Sequence, residues 1–402
     1  MNKLPSSSTH LLPVHSRFDI LFTKGEGMYL YAKNNDKPYL DFGAGIAVNA
    51  LGHCHPELVD ALTKQANKLW HISNIYNSNE LNNYADKLIE NSFADYAFFC
   101  NSGAEAIECA IKMIRRYFYH QNQSHKNQII TFSGAFHGRT IATISAAAKK
   151  KYLEGFEPAL PGFINVEFND IEAVKQIIND NKNIAGILIE PIQGEGGIRV
   201  ASPSFLKELR SICNQNNIIL AFDEVQCGFG RTGRLFAYQY FDVIPDILAS
   251  AKAIAGGFPL GACLANKEVA RSMTAGVHGT TYGGNPLAMA VADKLLTIIT
   301  NDNFLQNVEI NAKILHIALN ELKSQFSDII AEIRGVGLMI GIKINDKFEN
   351  NLIVKELINN HLLTIPAGDN IVRLLPPLIT QKQHIEEAII KIKQSFNNIL
   401  SK

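Results

Sequence analysis

The most constraining feature of the sequence is a regular alternation of predicted strands and helices between residues 79 and 265. Short apolar runs alternate with longer segments whose apolar residues recur at helical spacing. This order is typical of a mainly parallel sheet covered by helices. The strands are predicted at residues 96–100, 129–132, 184–189, 218–222, 247–249 and 262–265, and helices at 81–90, 104–119 and 203–214. We therefore predict an α/β fold with one large sheet.

The two ends of the chain follow a different pattern. Residues 28–31 and 38–42 predict a hairpin, and a helix is predicted at residues 56–70. Beyond residue 285 the predicted order is helix, helix, strand, helix, strand, helix, at residues 286–300, 303–326, 338–344, 352–361, 371–375 and 381–400. Because neither end has enough apolar surface for a core of its own, we predict a smaller α+β domain built from both. The predicted boundaries are 1–55 and 301–402 for the small domain and 56–300 for the large one.

The charge balance and the cysteines limit the class of partner. The chain has 38 Lys and Arg against 38 Asp and Glu, which leaves no electrostatic footprint for nucleic acid or an anionic membrane. It has no apolar run of about 18 residues, and residues 1–20 lack the basic region and the apolar region that are typical of a signal peptide. The six cysteines lie far apart without a CxxC pair, as expected in a reducing compartment and not at a metal site. We predict a cytoplasmic protein that binds neither nucleic acid nor membrane.

Lys252 lies among small and apolar residues just after the predicted strand at 247–249, with Gly256 and Gly257 beyond it. A desolvated lysine has a lowered pKa, and such an amine can form a Schiff base with a carbonyl. The alternative is a loop lysine whose stem is buried while its amine reaches water.

Asp223 and the segment Ser102-Gly103-Ala104 also follow predicted strands. A carboxylate at the end of a buried strand needs a cation, and a protonated pyridine nitrogen is one such partner. Ser102 and Glu105 fit a capping box, while a helix N-terminus with a glycine can also bind phosphate. Both interpretations of this helix start can hold together.

Phe136 and Arg139 come directly after the predicted strand at 129–132, where parallel sheets bind ligands. Phe136 could stack on a planar ring and Arg139 could bind a carboxylate. In the alternative, Phe136 is a core residue and Arg139 a solvated charge.

Two further patterns are weak. Residues 228–233 match GxGxxG, but an acidic segment separates them from the strand and no clear helix follows, which argues against dinucleotide binding. His53 and His55 alternate in an extended segment without a second ligand pair, so they do not predict a metal site.

Taken with Lys252 and the FHGR segment at residues 136–139, several longer motifs resemble those of the class III, fold-type I aminotransferases that use pyridoxal 5'-phosphate. The resemblance extends from about residue 18 to the final helix. Its motifs are CNSGAE (residues 100–105), IEPIQGEGG (189–197), FDEVQ (222–226), SAK (250–252) and GTTYGGNP (279–286). It implies a large cofactor-binding domain and a small domain formed from both termini.

The resemblance implies a role for each cofactor-site residue. Lys252 would bind the cofactor covalently and move a proton, Asp223 would pair with the pyridine nitrogen, and Gln226 would bond the ring hydroxyl. Phe136 and Val225 would enclose the ring. The phosphate would be held by Ser102, Gly103, Ala104 and, from the neighbouring subunit of a homodimer, Thr281.

The resemblance also implies two small-molecule substrates, an amino donor and a 2-oxo acid. The δ-amino group of an acylated ornithine would pass to 2-oxoglutarate, with the acetylated form as first candidate and free or succinylated ornithine or another ω-amino donor as alternatives. Arg139 would bind the donor carboxylate. Arg373 would bind 2-oxoglutarate and would pair with Glu195 in the other half-reaction. A racemase or decarboxylase on the same cofactor is a rival that this pair disfavours.

Overall fold

The computed structural model of the chain describes residues 10–33, 35–301 and 303–401. The first nine residues of the predicted N-terminal segment, and Asn34 in the turn of the predicted hairpin, lie outside the described residues. The strands are β1 (Phe22–Glu26), β2 (Tyr29–Ala32), β3 (Tyr39–Asp41), β4 (Tyr96–Cys100), β5 (Gln128–Phe132), β6 (Phe163–Val166), β7 (Ile184–Ile189), β8 (Ile192–Gln193), β9 (Arg199–Val200), β10 (Ile219–Asp223), β11 (Ile247–Ser250), β12 (Gly261–Ala265), β13 (Ile330–Val336), β14 (Met339–Ile344), β15 (Leu362–Leu363), β16 (Ile365–Ala367) and β17 (Ile371–Leu374).

The helices lie between and around these strands. They are α1 (Ala44–Ala47), α2 (Pro56–Ala66), α3 (Asn79–Glu90), α4 (Gly103–His120), α5 (Ile141–Ala147), α6 (Lys150–Leu153), α7 (Ile171–Asp180), α8 (Pro203–Asn216), α9 (Ala237–Phe241), α10 (Lys267–Ala270), α11 (Pro286–Ile299), α12 (Phe304–Gln325), α13 (Asn350–Asn359) and α14 (Lys382–Leu400). A short 3₁₀ helix covers Lys252–Ala255. No helix of the described chain is both long and apolar enough to cross a membrane.

A seven-stranded sheet, here called the central sheet, has the order β4-β12-β11-β10-β7-β5-β6. The neighbours β11, β10, β7, β5 and β6 pair in parallel, and β12 is antiparallel to both β11 and β4. Its inner strands β7, β10, β11 and β12 are buried along their whole length. Because strands buried on both faces have continuous apolar sequences, these strands could be predicted from the sequence. The predicted mainly parallel α/β sheet is confirmed.

The topology brings several chain segments to one edge of the central sheet. The segments after β4, β5, β7, β10 and β11 leave the sheet at its carboxyl edge, and β12 enters there because it runs the other way. Ligands of open α/β sheets bind at that edge. The motifs singled out in the sequence therefore converge in space.

The two chain ends share a second sheet, in the order β1-β2-β3-β15. The C-terminal strand β15 pairs in parallel with β3, with Leu362 opposite Leu40. A third sheet, here called the C-terminal sheet, has the order β13-β14-β17-β16. These pairings join the ends of the chain as expected, and the boundaries 1–55, 56–300 and 301–402 stay a proposal.

Element types agree with the sequence pattern where apolar periodicity is strong, and the boundaries shift by a few residues. The helix predicted to reach Trp70 ends at Ala66, and Trp70 is exposed. Strands β1 and β13 were missed because charged residues and glycine interrupt their apolar pattern. The helix start at Asn285 was recognised correctly: its side chain caps the N–H of Ala288 and proline occupies the first turn.

Candidate active site

A cavity of about 470 Å³ opens at the carboxyl edge of the central sheet. The segments after β4, β5, β7, β10 and β11 line it, together with residues 257–260 that lead into β12. Of the residues predicted from the sequence, it is lined by Ser102, Gly103, Ala104, Phe136, Arg139, Asp223, Val225, Gln226 and Lys252. Residues far apart in sequence thus form one site.

Lys252 lies where the chain turns out of β11 into the 3₁₀ helix, two residues after Ser250. Its φ of 50° lies in the left-handed region, which is uncommon for a residue with a side chain and is often found at functional sites. Burial, and secondarily the positive charge of Arg373, lower the pKa of Lys252 to about 8. The amine is therefore far more often neutral, and nucleophilic, than that of a surface lysine.

Asp223 ends β10 and is almost fully buried. His137 donates from Nδ1 to Asp223 Oδ2 at 2.8 Å, and the backbone N–H of Val225 donates to Oδ1 at 3.0 Å. From the sequence we expected a ligand cation here and overlooked this histidine. Each carboxylate oxygen accepts more than one hydrogen bond, so Asp223 can still meet a donor in the cavity.

Glu190 supports the neighbouring loop from the end of β7. Its carboxylate accepts from the backbone N–H of Phe136 at 2.7 Å and of Gly194 at 3.2 Å. Burial, and secondarily the negative charge of Asp223, raise the pKa of Glu190 to about 7. The carboxyl group thus fixes the position of the Phe136 backbone at the cavity wall.

The N-terminus of α4 faces the same cavity. Ser102 caps the helix, accepting from the N–H of Glu105 at 3.3 Å, while Glu105 in turn accepts from the N–H of Asn101 at 2.8 Å. The predicted Ser102 cap is therefore present, but the return bond of a capping box is replaced: Glu105 accepts from the N–H of Asn101 and the hydroxyl of Ser102 and not from the N–H of Ser102. A Cβ on Gly103 would lie 2.7 Å from a methyl group of Val225. A larger residue at this position would therefore clash with the Val225 side chain. The first N–H groups of the helix lack carbonyl partners one turn earlier and suit an anion.

Arg139 lies at the rim and is exposed. Its guanidinium group lies 4.1 Å from the ring centre of Tyr152 and 5.4 Å from that of Phe136. These rings hold the planar group in place by cation–π contact. Arg139 forms no salt bridge with any described residue, which leaves its fork available for a carboxylate.

Arg373 is buried behind the cavity wall on β17. It donates from Nη2 to Glu195 at 2.8 Å and to the carbonyl of Pro366 at 3.1 Å, and from Nη1 to the side-chain oxygen of Gln226 at 3.2 Å. Burial lowers the pKa of Arg373. Gln226 lines the cavity, so its side chain lies between Arg373 and the cavity.

Three predicted residues do not line the cavity of this single chain. Glu195 and Arg373 pair beside it, and Thr281 lies exposed in the segment before α11. The structure adds residues that were not selected from the sequence, namely His137, Tyr152, Glu190 and Leu260. His137 and Glu190 stood within quoted motifs, and their position after buried strands was the signal available.

The two weaker sequence patterns do not line this cavity. His53 lies 2.8 Å from Asp41, where the two side chains form a pair. No group of three or more metal-ligating side chains occurs in the described part of the chain. The GxGxxG segment does not open a long helix, since the next helix is the five-residue α9. Dinucleotide binding therefore has no structural support at this loop.

Comparison with known proteins agrees with this geometry. The family profile described as aminotransferase class-III matches residues 12–396. Acetylornithine aminotransferase of Agrobacterium fabrum is 49% identical over 99% of this chain and 99% of its own. Among solved structures, ornithine aminotransferase of Toxoplasma gondii has a TM-score of 0.93 at 30% identity, covering 98% of this chain and 93% of that one. N-acetylornithine aminotransferase of Stenotrophomonas maltophilia has a TM-score of 0.84 at 35% identity, covering 95% and 97%.

A family match across nearly the whole sequence, a full-length relative at 49% identity and the same fold in solved transaminases agree with one another. The chain belongs to the class III aminotransferases, enzymes that use pyridoxal phosphate.

Proposed function

We propose that this enzyme transfers the δ-amino group of N2-acetylornithine to 2-oxoglutarate, giving N-acetylglutamate 5-semialdehyde and glutamate, a step of arginine biosynthesis. The observation that carries the proposal is the 49% identity to an acetylornithine aminotransferase over essentially the whole of both chains. The solved structure with a TM-score of 0.93 is an ornithine aminotransferase, which makes free ornithine the second candidate donor.

The residues of the cavity fit pyridoxal phosphate. A phosphate suits the N–H groups at the N-terminus of α4. Position 103 in this first turn must be glycine, because a Cβ there would clash with Val225. Phe136 and Val225 both line the cavity and would enclose the flat ring, and Asp223 would offer a buried carboxylate to the ring nitrogen. When bound, the cofactor supplies a carbonyl for amine exchange and an electron sink for the substrate carbon.

Lys252 is the proposed acid–base residue. Its pKa of about 8 leaves part of the amine neutral, so Nζ would accept a proton from the amine-bearing carbon of the donor and deliver it to the carbonyl carbon of the bound cofactor. Asp223, oriented by His137 at 2.8 Å, would keep the ring nitrogen protonated. Gln226 would bond the ring hydroxyl from its place beside Arg373.

Two arginines are proposed to separate the two substrates. Arg139, at the rim without a carboxylate partner among the described residues, would bind the α-carboxylate of the donor so that its δ-amine reaches Lys252. Arg373 would bind a carboxylate of 2-oxoglutarate after its pair with Glu195 opens. Glu195 is partly exposed while Arg373 is buried, so the glutamate is the partner that can move away. One pocket would thereby accept two different charge patterns.

We also propose a homodimer in which Thr281 reaches the phosphate of the partner subunit. Thr281 lies in an exposed segment next to a patch of exposed apolar side chains, here called the aromatic patch: Trp70, Ile75, Tyr76 and Tyr282. Asn74 holds the two segments together through the carbonyls of Thr280 and Gly283, each at 3.1 Å. Exposed apolar patches of this kind mark interfaces.

Mixed dimers test this shared site. Thr281→Asp and Lys252→Ala should each abolish turnover, and unfolding and refolding them together should restore activity because each mixed dimer contains one intact site. Absence of restoration in a mixture that is dimeric by light scattering would argue against the shared site.

A cytoplasmic location is the last part of the proposal. It is supported by the cysteines, which are all free, with five of the six buried. Free thiols persist in reducing compartments.

A rate comparison tests the function. Initial rates with 2-oxoglutarate should be highest with N2-acetylornithine, lower with N2-succinylornithine and ornithine, and lowest with 4-aminobutyrate. A preference for free ornithine would replace the first candidate by the second. Absence of glutamate production from all four donors would overturn the proposal.

A further inference from the structure

The loop of residues 228–233 follows β10 and carries the glycine pattern that the proposed function leaves unused. Within it, the side chain of Arg231 is completely buried. Burying a guanidinium group is costly unless polar groups surround it. Its partners therefore indicate why an arginine stands there.

Arg231 is bonded to residues that flank the two inner strands of the C-terminal sheet, β14 and β17. Nη1 donates to the carbonyl of Leu338, at 3.4 Å, and to that of Pro376. The backbone N–H of Leu338 returns a bond to the carbonyl of Arg231 at 2.9 Å. Leu338 directly precedes β14, and Pro376 lies two residues beyond β17.

These are the two strands that carry and flank Arg373. Strand β14 pairs with β17, and Gly341 lies opposite Arg373. Arg373 in turn reaches Gln226, which stands two residues before the loop of Arg231 begins. The segment after β10 therefore contacts β17 and its flanking residues at two points. Gln226 bonds to Arg373 on β17, and Arg231 bonds to Pro376 just beyond it.

The contact is electrostatically expensive for what it contributes to stability. Nε and Nη2 of Arg231 have no hydrogen-bond partner among the described residues. Burial lowers the pKa of Arg231 to about 9, and the negative charge of Asp41 partly opposes that shift, so the group stays charged at neutral pH. An apolar side chain of similar volume often stabilises such a site better than a buried charge does. Stability alone is therefore a poor explanation for this arginine.

We propose that Arg231 is a positioning residue for Arg373: it holds β14 and β17 against the loop after β10, which keeps the Arg373 guanidinium in register with Glu195, Gln226 and a carboxylate of the 2-oxo acid. This inference rests on the proposed role of Arg373 in the second half-reaction. Loss of Arg231 should impair use of the 2-oxo acid and spare use of the amino donor, whose carboxylate is assigned to Arg139.

The test is Arg231→Met in the holoenzyme, with each half-reaction followed separately by single-turnover absorbance. We expect the apparent affinity for the 2-oxo acid to fall about tenfold or more, and the half-reaction with the donor to change less than about twofold. Arg231→Lys, which keeps a charge and a donor for one carbonyl, should recover part of the loss. Equal losses in both half-reactions, or no loss in either, would overturn the proposal.

The residue directly after this loop offers a matched control. Arg234 is half exposed and pairs with Glu309 on α12, so Arg234→Met removes a neighbouring arginine without touching the strands of Arg373. It should leave both half-reactions within about twofold of wild type. An Arg234→Met defect as selective as that of Arg231→Met would refute a specific role of Arg231.

Gly337→Ala perturbs the same contact from the segment before β14. Gly337 has a φ of 60°, and an added Cβ would collide with the carbonyl of Arg231. The variant should reproduce the selective loss for the 2-oxo acid. If none of Arg231→Met, Arg231→Lys and Gly337→Ala yields folded holoenzyme, the role is structural and the proposal is rejected. If the wild-type enzyme does not accept 2-oxoglutarate, the proposed function is contradicted and the Arg231 proposal is not. The Arg231 variants are then compared with wild type using the 2-oxo acid that the enzyme does accept.

Discussion

The lowered pKa of Lys252 makes a quantitative prediction about pH. With a pKa of about 8, about 9% of the amine is neutral at pH 7, against about 0.04% for an ordinary lysine, a ratio of about 200. The charged groups around Lys252 act in both directions: Arg373 lowers its pKa, whereas Glu190, Asp223 and Glu195 raise it. Burial is the largest cause, so the lowered value should persist at high salt.

The assay is the rate at which cofactor-free enzyme takes up pyridoxal phosphate, followed by visible absorbance across a pH series. Because the neutral amine is the nucleophile, the rate should rise with pH and level off above about pH 9. Division by the rate constant of N-acetyl-lysine, expressed per neutral amine, removes the titration of the cofactor itself. Arg373→Met should move the midpoint upward, since it removes a positive neighbour and leaves Glu195 unpaired. A normalised rate that shows no plateau up to pH 10, or a midpoint that falls in Arg373→Met, would refute the reasoning.

Three substitutions test other parts of the site. Arg139→Ala should raise KM for the amino donor by about tenfold or more and leave KM for 2-oxoglutarate within about threefold, measured in steady-state kinetics. Gly103→Ala should weaken cofactor binding at least tenfold, measured by equilibrium titration, because its Cβ would lie 2.7 Å from Val225. His137→Ala should lower the free energy of unfolding of the cofactor-free enzyme by about 3 kcal/mol in a urea titration, because Asp223 loses its buried partner.

Each of these expectations can fail in a definite way. Equal effects of Arg139→Ala on both substrates would remove its assignment to the donor. Unchanged cofactor affinity in Gly103→Ala would place the phosphate elsewhere. Unaltered stability in His137→Ala would mean that Asp223 does not depend on the histidine.

The central sheet was predictable because its physical signal is local. Strands such as β7 are buried on both faces, so their sequences are uninterrupted apolar runs, and α4 and α11 begin with side chains that cap their own N-termini. Strand β15 was not predictable in the same way: two residues long, it exists because Leu362 and Leu363 pair with β3 more than 300 residues earlier. Its register is a property of the assembled fold.

The site residues also fall into those predictable from local sequence and those that depend on the assembled fold. Lys252 and Asp223 were identified from residue type at a strand end, which is a local property. The partner of Asp223 was missed because His137 stands on a different strand end, and the distance of 2.8 Å arises from the sheet order. Arg231 was placed in a loop motif, and its burial against Leu338 and Pro376 depends on the C-terminal sheet. Residue type predicted the chemistry, and topology determined the partners.

The assignment of Lys252 is tested most directly by identifying the lysine that binds the cofactor. The holoenzyme is treated with borohydride, which fixes a lysine–cofactor linkage, and the digested protein is mapped by mass spectrometry. We expect the added mass on the peptide that contains Lys252, and none in a Lys252→Ala control. A label on another lysine, or an unlabelled Lys252 in an enzyme that is active before reduction, would contradict it.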